Sequence, residues 1–258
     1  RFLNPESLKN YRNKANSGGL QIHKASHHFD LLNWWAGSTP ARVAAQGGLR
    51  FYGRNNPFRG KCCRGCPHAA KCEFYADMTN YANFRQMYLN AEKADGYIRD
   101  GCVFDKSIDI EDQLAVQIAY RNGIEVNYSL TAYSPIESMR VVIEGTKGRL
   151  ELRHIYDTSG WPGPNALPGV AKIAGESLRL FIPGKGIEDV AIKQLKGSHG
   201  GADPQLMRDF FARPWNQKPN EMMASVEDAV QAVLIGAAVN KSLATGKPVQ
   251  VQDLLKRD

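Results

Sequence analysis

An α+β fold, with an open, predominantly antiparallel β-sheet and helices on one face, follows from three observations. From Gln113 onward apolar and polar residues alternate, and turn-forming residues separate the alternating runs, as in consecutive hairpins. Apolar residues near 29–35 and 226–237 recur instead at helical spacing. No strand leads into Gly-x-Gly-x-x-Gly and no βαβα alternation occurs, so these residues are not expected to form a dinucleotide domain.

The first element is a helix entered through Gly18-Gly19, a pair that permits positive φ or a close backbone approach. His23, Lys24, His27, His28 and Asp30 follow, and Phe29, Leu31, Leu32, Trp34 and Trp35 supply the apolar mass to hold the helix on a core. If the segment from about Ala25 is helical, His27 and Asp30 share a face, and His23 joins them if the first turn reaches back that far. Three readings compete. The bland one is a buried amphipathic helix with a polar end. A metal site could use the His-x-x-x-His spacing, but a zinc hydrolase wants Glu where Lys24 stands. The third is an acid/base site for a small polar substrate, the chemistry to which imidazole is best matched near neutral pH.

A strand over 42–52 comes next, with Gly47 and Gly48 marking a bulge or close approach. Residues 53–61 are turn-rich and cationic and read as a loop. Then come Cys62, Cys63, Cys66 and Cys72, with Cys102 further on. Cys63-x-x-Cys66 can place two thiolates on one metal, and Cys72 and Cys102 would complete a tetrahedral, structural zinc site. Disulfides in an oxidising compartment and plain reduced thiols are the alternatives. Residues 74–92 suit one or two short helices with an apolar face, read as core ahead of a sugar-binding aromatic stripe.

Leu114, Val116, Ile118 and Tyr120 alternate toward one face, Asn122-Gly123 turns the chain, and Val126, Tyr128 and Leu130 alternate back. Residues 139–144 and 149–153 form a second hairpin around Gly145-Thr-Lys-Gly148, and 178–182 with 189–195 a third around Pro183-Gly-Lys-Gly186. A long loop covers 157–170. His199 lies in a glycine-rich loop before a helix over 203–211 with Asp203 as N-cap, a place suited to an anion or to a mobile surface loop. The last helix runs from the Ser225 cap to about Ala244 and stops at Gly246.

The net charge, 33 − 26 = +7, comes from scattered Lys and Arg without a recognition motif, so a solvated basic surface is expected and nucleic acid is not. No apolar run approaches a membrane span.

Gly18-Gly19, His23, His27 and Asp30 running into an apolar helix resemble the opening of the second domain in the glucose–fructose oxidoreductase and inositol dehydrogenase (Gfo/Idh/MocA) family. Glu144-Gly-Thr-Lys-Gly-Arg-Leu-Glu151 resembles that family's sheet hairpin, and the final helix with Gly246-Lys-Pro-Val249 its C-terminal signature. The likeness covers about residues 11–255. It implies a part of an NAD- or NADP-dependent oxidoreductase acting on a sugar or cyclitol hydroxyl. His27 takes the family's acid/base role and Asp30 its following Asp. His23 stands where the family has an earlier Asp, and either shares the proton work or binds substrate. Lys24, Asp30 and His199 are the expected substrate-binding residues. In the family, the cofactor is held mainly by a preceding domain with a Glu-Lys-Pro segment, and neither occurs here. We therefore read the start at Arg1 as a cut, and 1–258 as one substrate-binding and oligomerisation domain with a Cys-rich insertion at about 54–106. The family pattern also leaves Cys62 as the spare cysteine and implies pairing of subunits through the open sheet face. A cytoplasmic location is expected, with an exported form as the alternative. Redox-assisted glycoside cleavage and a non-catalytic sugar-binding or dimerisation module are the competing functions.

Overall fold

The computed structural model describes residues 11–158, 169–193, 198–212 and 223–256. The chain divides into two compact units, one built on residues 11–134 and 225–256 and the other within 135–224. It opens with three helices, α1 (Lys14–Ser17), α2 (Leu20–His23) and α3 (Ser26–Ala36), and continues into strand β1 (Pro40–Gly48). A long excursion carries the short helices α4 (Ala82–Phe84) and α5 (Glu92–Asp95), after which β2 (Gln113–Tyr120) and β3 (Glu125–Thr131) form the first hairpin. Strands β4 (Ser138–Gly145), β5 (Gly148–Ile155), β6 (Gly175–Ile182) and β7 (Gly186–Asp189) and helix α6 (Ala202–Met207) belong to the second unit. Helix α7 (Val226–Thr245) and strand β8 (Val249–Gln250) return to the first.

The expected α+β architecture is present, and its strands are divided between two antiparallel four-stranded sheets, β3-β2-β1-β8 and β4-β5-β6-β7. In the first sheet Val43 faces Ile118 and Val116 faces Tyr128, so the alternating residues stand on one face. Leu114, Val116, Ile118 and Tyr120 are buried there with Phe29 of α3 and Ile235, Ala238 and Val239 of α7. Each large side chain in this layer contributes on the order of 2 kcal/mol by leaving water. Gln117, on the other face of β2, is exposed.

Helix α7 begins as expected: Ser225 Oγ accepts from the Asp228 N–H at 3.1 Å while the Asp228 carboxylate accepts from the Ser225 N–H at 2.8 Å. It ends at Gly246, whose φ of 66° closes the last turn through a 2.8 Å bond to the Ser242 carbonyl. The Asn122-Gly123 turn and the Gly145–Gly148 hairpin also stand where their sequences place them.

Four boundaries or environments differ from expectation. Strand β1 spans Pro40–Gly48, not 42–52, because Leu49 to Tyr52 turn away to meet the Asp112 carboxylate. In the third hairpin Ile182 pairs with Gly186, so the returning strand is Gly186–Asp189 and not 189–195. Helix α6 is capped by Gly201, not Asp203, which lies in its first turn. The segment 74–92 breaks into short helical pieces with no buried residue, and Met87 is 65% exposed, so beyond Phe74 it is surface and not core. The loop expected over 157–170 lies mostly outside the described residues, as do residues 194–197.

Candidate active-site helix

The two-glycine turn is fixed from several directions. Gly18 (φ 71°) closes α1 and Gly19 (φ 84°) caps α2, so both use the left-handed freedom expected of them. Gln21 of α2 is fully buried, and its Nε2 donates to Glu111 Oε2 at 3.2 Å and to Asn240 Oδ1 of α7. Asn240 Nδ2 in turn donates to the Gly18 carbonyl at 2.7 Å, and Glu111 pairs with Lys14. A Cβ at Gly19 would stand 2.7 Å from Gln21 Nε2, and one at Gly236 of α7 would stand 2.5 Å from the Gln21 carbonyl oxygen. Glycine at 19 and 236 is what lets these backbones close on Gln21.

The helix expected to run back to His23 is interrupted. Helix α2 ends at His23, Lys24 leaves helical geometry (φ −122°), buried Ala25 bonds back to the Leu20 carbonyl at 2.7 Å, and α3 starts at Ser26. His23 therefore belongs to a separate turn from His27, and its ring stacks on Tyr11 at 4.6 Å. His23, Lys24 and His27 are all exposed. Asp30 lies on α3 three residues beyond His27, as the spacing predicts, but no ion pair joins them among the described residues. The inward face of α3 is Phe29, Asn33 and Ala36, with Asn33 Oδ1 accepting from Tyr120 at 2.9 Å. Trp34, expected to help hold the helix, is 58% exposed instead.

His28, to which the sequence assigned no role, is engaged with the sheet. Its Nδ1 lies 2.9 Å from the Tyr128 hydroxyl of β3. Burial pushes the His28 pKa down, and the neighbouring His27 and Lys24 push it the same way. Burial pushes the Tyr128 phenol up, so it stays neutral. His28 was visible in the sequence, but a partner 100 residues away has no local signal.

His199 belongs to the second unit and is described within it. It takes a left-handed φ of 50°, is 80% exposed, and its Nδ1 meets Asp203 Oδ1 at 2.8 Å. A shallow, open concavity of about 340 Å³ in the second unit, beside Arg179, Asp189 and Val190, contains none of the candidate residues.

The structure does not support the zinc expectation. Cys63, Cys66, Cys72 and Cys102 are half-buried free thiols, and no group of three or more His, Cys, Asp or Glu among the described residues is placed to hold a metal. Burial, the largest influence, pushes the Cys63 thiol up. The segment has an aromatic core of its own. Phe51, Tyr52, Phe74 and Phe104 pack together, with ring separations of 5.6 Å for Phe51–Phe74 and 5.4 Å for Phe74–Phe104. Arg64 clamps the rest: its Nε and an Nη each reach the buried Asp100 carboxylate at 2.9 Å, and it pairs with Glu92.

A family model described as "Oxidoreductase family, C-terminal alpha/beta domain" (GFO_IDH_MocA_C) matches residues 1–251. The chain is 30% identical over 258 residues to YteT of Bacillus subtilis (strain 168), named as an oxidoreductase, covering 95% of this chain and 58% of that protein. Among solved structures, an NADPH-dependent oxidoreductase from Desulfitobacterium hafniense aligns at a TM-score of 0.55 and 14% identity, over 98% of this chain and 56% of its own. The aldose-aldose oxidoreductase from Caulobacter crescentus, complexed with glycerol, aligns at 0.51 and 13% identity, over 94% and 51%. At such identities these structures show a shared fold, and the chain spans little more than half the length of its relatives. No helix among the described residues is long and apolar enough to cross a membrane.

Proposed function

The chain belongs to the Gfo/Idh/MocA oxidoreductase family as its C-terminal α/β domain, and on that premise we propose that it is the substrate half of an NAD(P)-dependent enzyme acting on a sugar or cyclitol hydroxyl. The observation that carries the proposal is the exposed set His23, Lys24 and His27, presented by a segment whose other side is locked into the core through Gln21, Ala25 and Phe29. Oxidising a carbinol requires the hydroxyl proton and the C–H hydride to leave separately. We assign the proton to His27, which is solvent-facing and so free to exchange it. His23, Lys24 and Asp30 are assigned to holding the substrate, with His23 able to share the proton work. For His199, whose Nδ1 meets Asp203 Oδ1 at 2.8 Å, a substrate-binding role is proposed as well.

This sequence carries no glycine-rich dinucleotide motif, so none of its residues is assigned to cofactor binding. A nicotinamide, held elsewhere in the longer protein, would supply the hydride acceptor. We assign subunit pairing to the second unit's sheet, and a cytoplasmic location to the whole. Ile143, Leu150 and Leu180, side by side across β4, β5 and β6 and none of them buried, support the pairing.

The test is to follow reduced nicotinamide by absorbance in the full-length protein with NAD+ or NADP+ and a panel of aldoses and cyclitols. Turnover with at least one of them is expected. No turnover with any, together with no nicotinamide binding, overturns the oxidoreductase reading in favour of a binding module.

A further inference from the structure

Neighbouring imidazoles on α3 sit in different surroundings. His27 faces solvent, whereas His28 is half-buried with its Nδ1 at 2.9 Å from the Tyr128 hydroxyl. Tyr128 is held firmly: it stands opposite Val116 in the β2–β3 ladder, and its ring meets buried Phe29 edge-on at 5.2 Å. The titratable groups bearing on His28 are His27 on its own helix, Lys24 just before it and Tyr128 from the sheet. None of these favours a charged imidazole at position 28.

Two neutral groups with one proton each can make this bond in either direction. If His28 donated from Nδ1, the phenol hydrogen would need another acceptor, and Tyr128 makes no other hydrogen bond among the described residues. Each direction leaves one hydrogen outside this pair, the phenol O–H or the imidazole Nε2–H, and the choice falls to strength: a phenol O–H is the more acidic donor and an imidazole nitrogen the more basic acceptor. If the phenol donates instead, its hydrogen is used, and the imidazole proton lies on Nε2.

We infer that Tyr128 is a positioning residue for the paired histidines: by donating to Nδ1 it fixes His28 as the Nε2–H tautomer and pins the helix that carries His27. This gives the site two adjacent imidazoles with separate duties, one solvent-facing and free to titrate, the other neutral and structural. The kinetic consequence rests on His27 being the acid/base group, while the tautomer itself does not.

Ring-nitrogen NMR of 15N-histidine-labelled full-length protein tests it, with His28→Gln assigning the His28 signals. Near neutral pH, Nδ1 is expected unprotonated and Nε2 protonated, and Tyr128→Phe is expected to replace that pattern with averaged tautomers. The same variant is expected to lower kcat about tenfold with KM within about twofold, since a displaced general base costs rate more than binding. A proton found on Nδ1 in the unaltered protein, or a His28 spectrum unmoved by Tyr128→Phe, overturns the tautomer assignment whatever His27 does. An altered tautomer with unchanged kcat overturns the pinning of His27. If both arms hold for Tyr128 but His27→Ala keeps full turnover, the acid/base reading fails separately.

Discussion

Asp112 is almost completely buried, and its carboxylate accepts from three successive backbone N–H groups, Arg50 at 2.7 Å, Phe51 at 2.9 Å and Tyr52 at 2.8 Å. Asp112→Ala would strand those donors where β1 turns into the excursion, at a cost of about 2–4 kcal/mol. A fall in the urea midpoint with little change in slope is the expected readout. His28 gives a pH prediction. Its folded-state pKa lies below the ordinary imidazole value of 6.5, so the unfolded chain binds the proton first as pH falls. The stability tied to neutral His28 is therefore complete above that ordinary value and is lost progressively as pH drops below it. His28→Gln is expected to flatten the decline in melting temperature over that interval, and an equally steep decline in the variant would assign the effect to other groups. At this scale the sequence exposed the chemistry-bearing residues but not their partners. His23, Lys24, His27 and Asp30 could be picked out by type and spacing. Tyr128, Gln21, Glu111 and Asn240 could not, because the bonds that matter cross 90 residues or more.

Elements with a complete local grammar were legible. Helix α7 carries its Ser225 cap, its apolar spacing and its Gly246 stop within one stretch, and Asn122-Gly123 sits between two alternating runs. Ser225→Ala is expected to remove the capping box and cost about 1 kcal/mol. Gly236 behaves differently, since alanine is the better helix former there by about 1 kcal/mol. Its methyl would stand 2.5 Å from the Gln21 carbonyl, so Gly236→Ala is expected to lower the melting temperature despite the propensity gain. A rise would show that α2 and α7 separate freely. Elements set by tertiary contacts were misjudged. The start of α6 moved because Gly201 caps it while Asp203 is engaged by His199, and α2 and α3 separated at Lys24 because Ala25 is drawn into the core. The cysteine-bearing segment misled by composition: its order comes from Phe51, Phe74 and Phe104 and from Arg64 on Asp100. Treatment with a strong chelator is therefore expected to leave its melting profile unchanged, and a large loss of stability would restore the metal.

For the whole molecule, the hairpins were legible as pairs while their division between two sheets was not. Strand β1 finds β2 across a long excursion, and nothing local in either strand specifies that partner. The apolar side chains left uncovered in the second unit, Ile187 at 70% and Phe211 at 78% exposure among them, are the features an isolated chain has least reason to keep. Light scattering of the full-length protein is expected to give an assembly of at least two subunits, and a monomer at all concentrations would count against pairing through this unit. The proposed chemistry rests on a core-anchored helix presenting His27 for proton transfer on a sugar or cyclitol hydroxyl. The most direct test is the turnover number of full-length His27→Ala across pH. A fall of roughly two to four orders of magnitude is expected, with nicotinamide binding nearly unchanged. Unaltered turnover at every pH would contradict it.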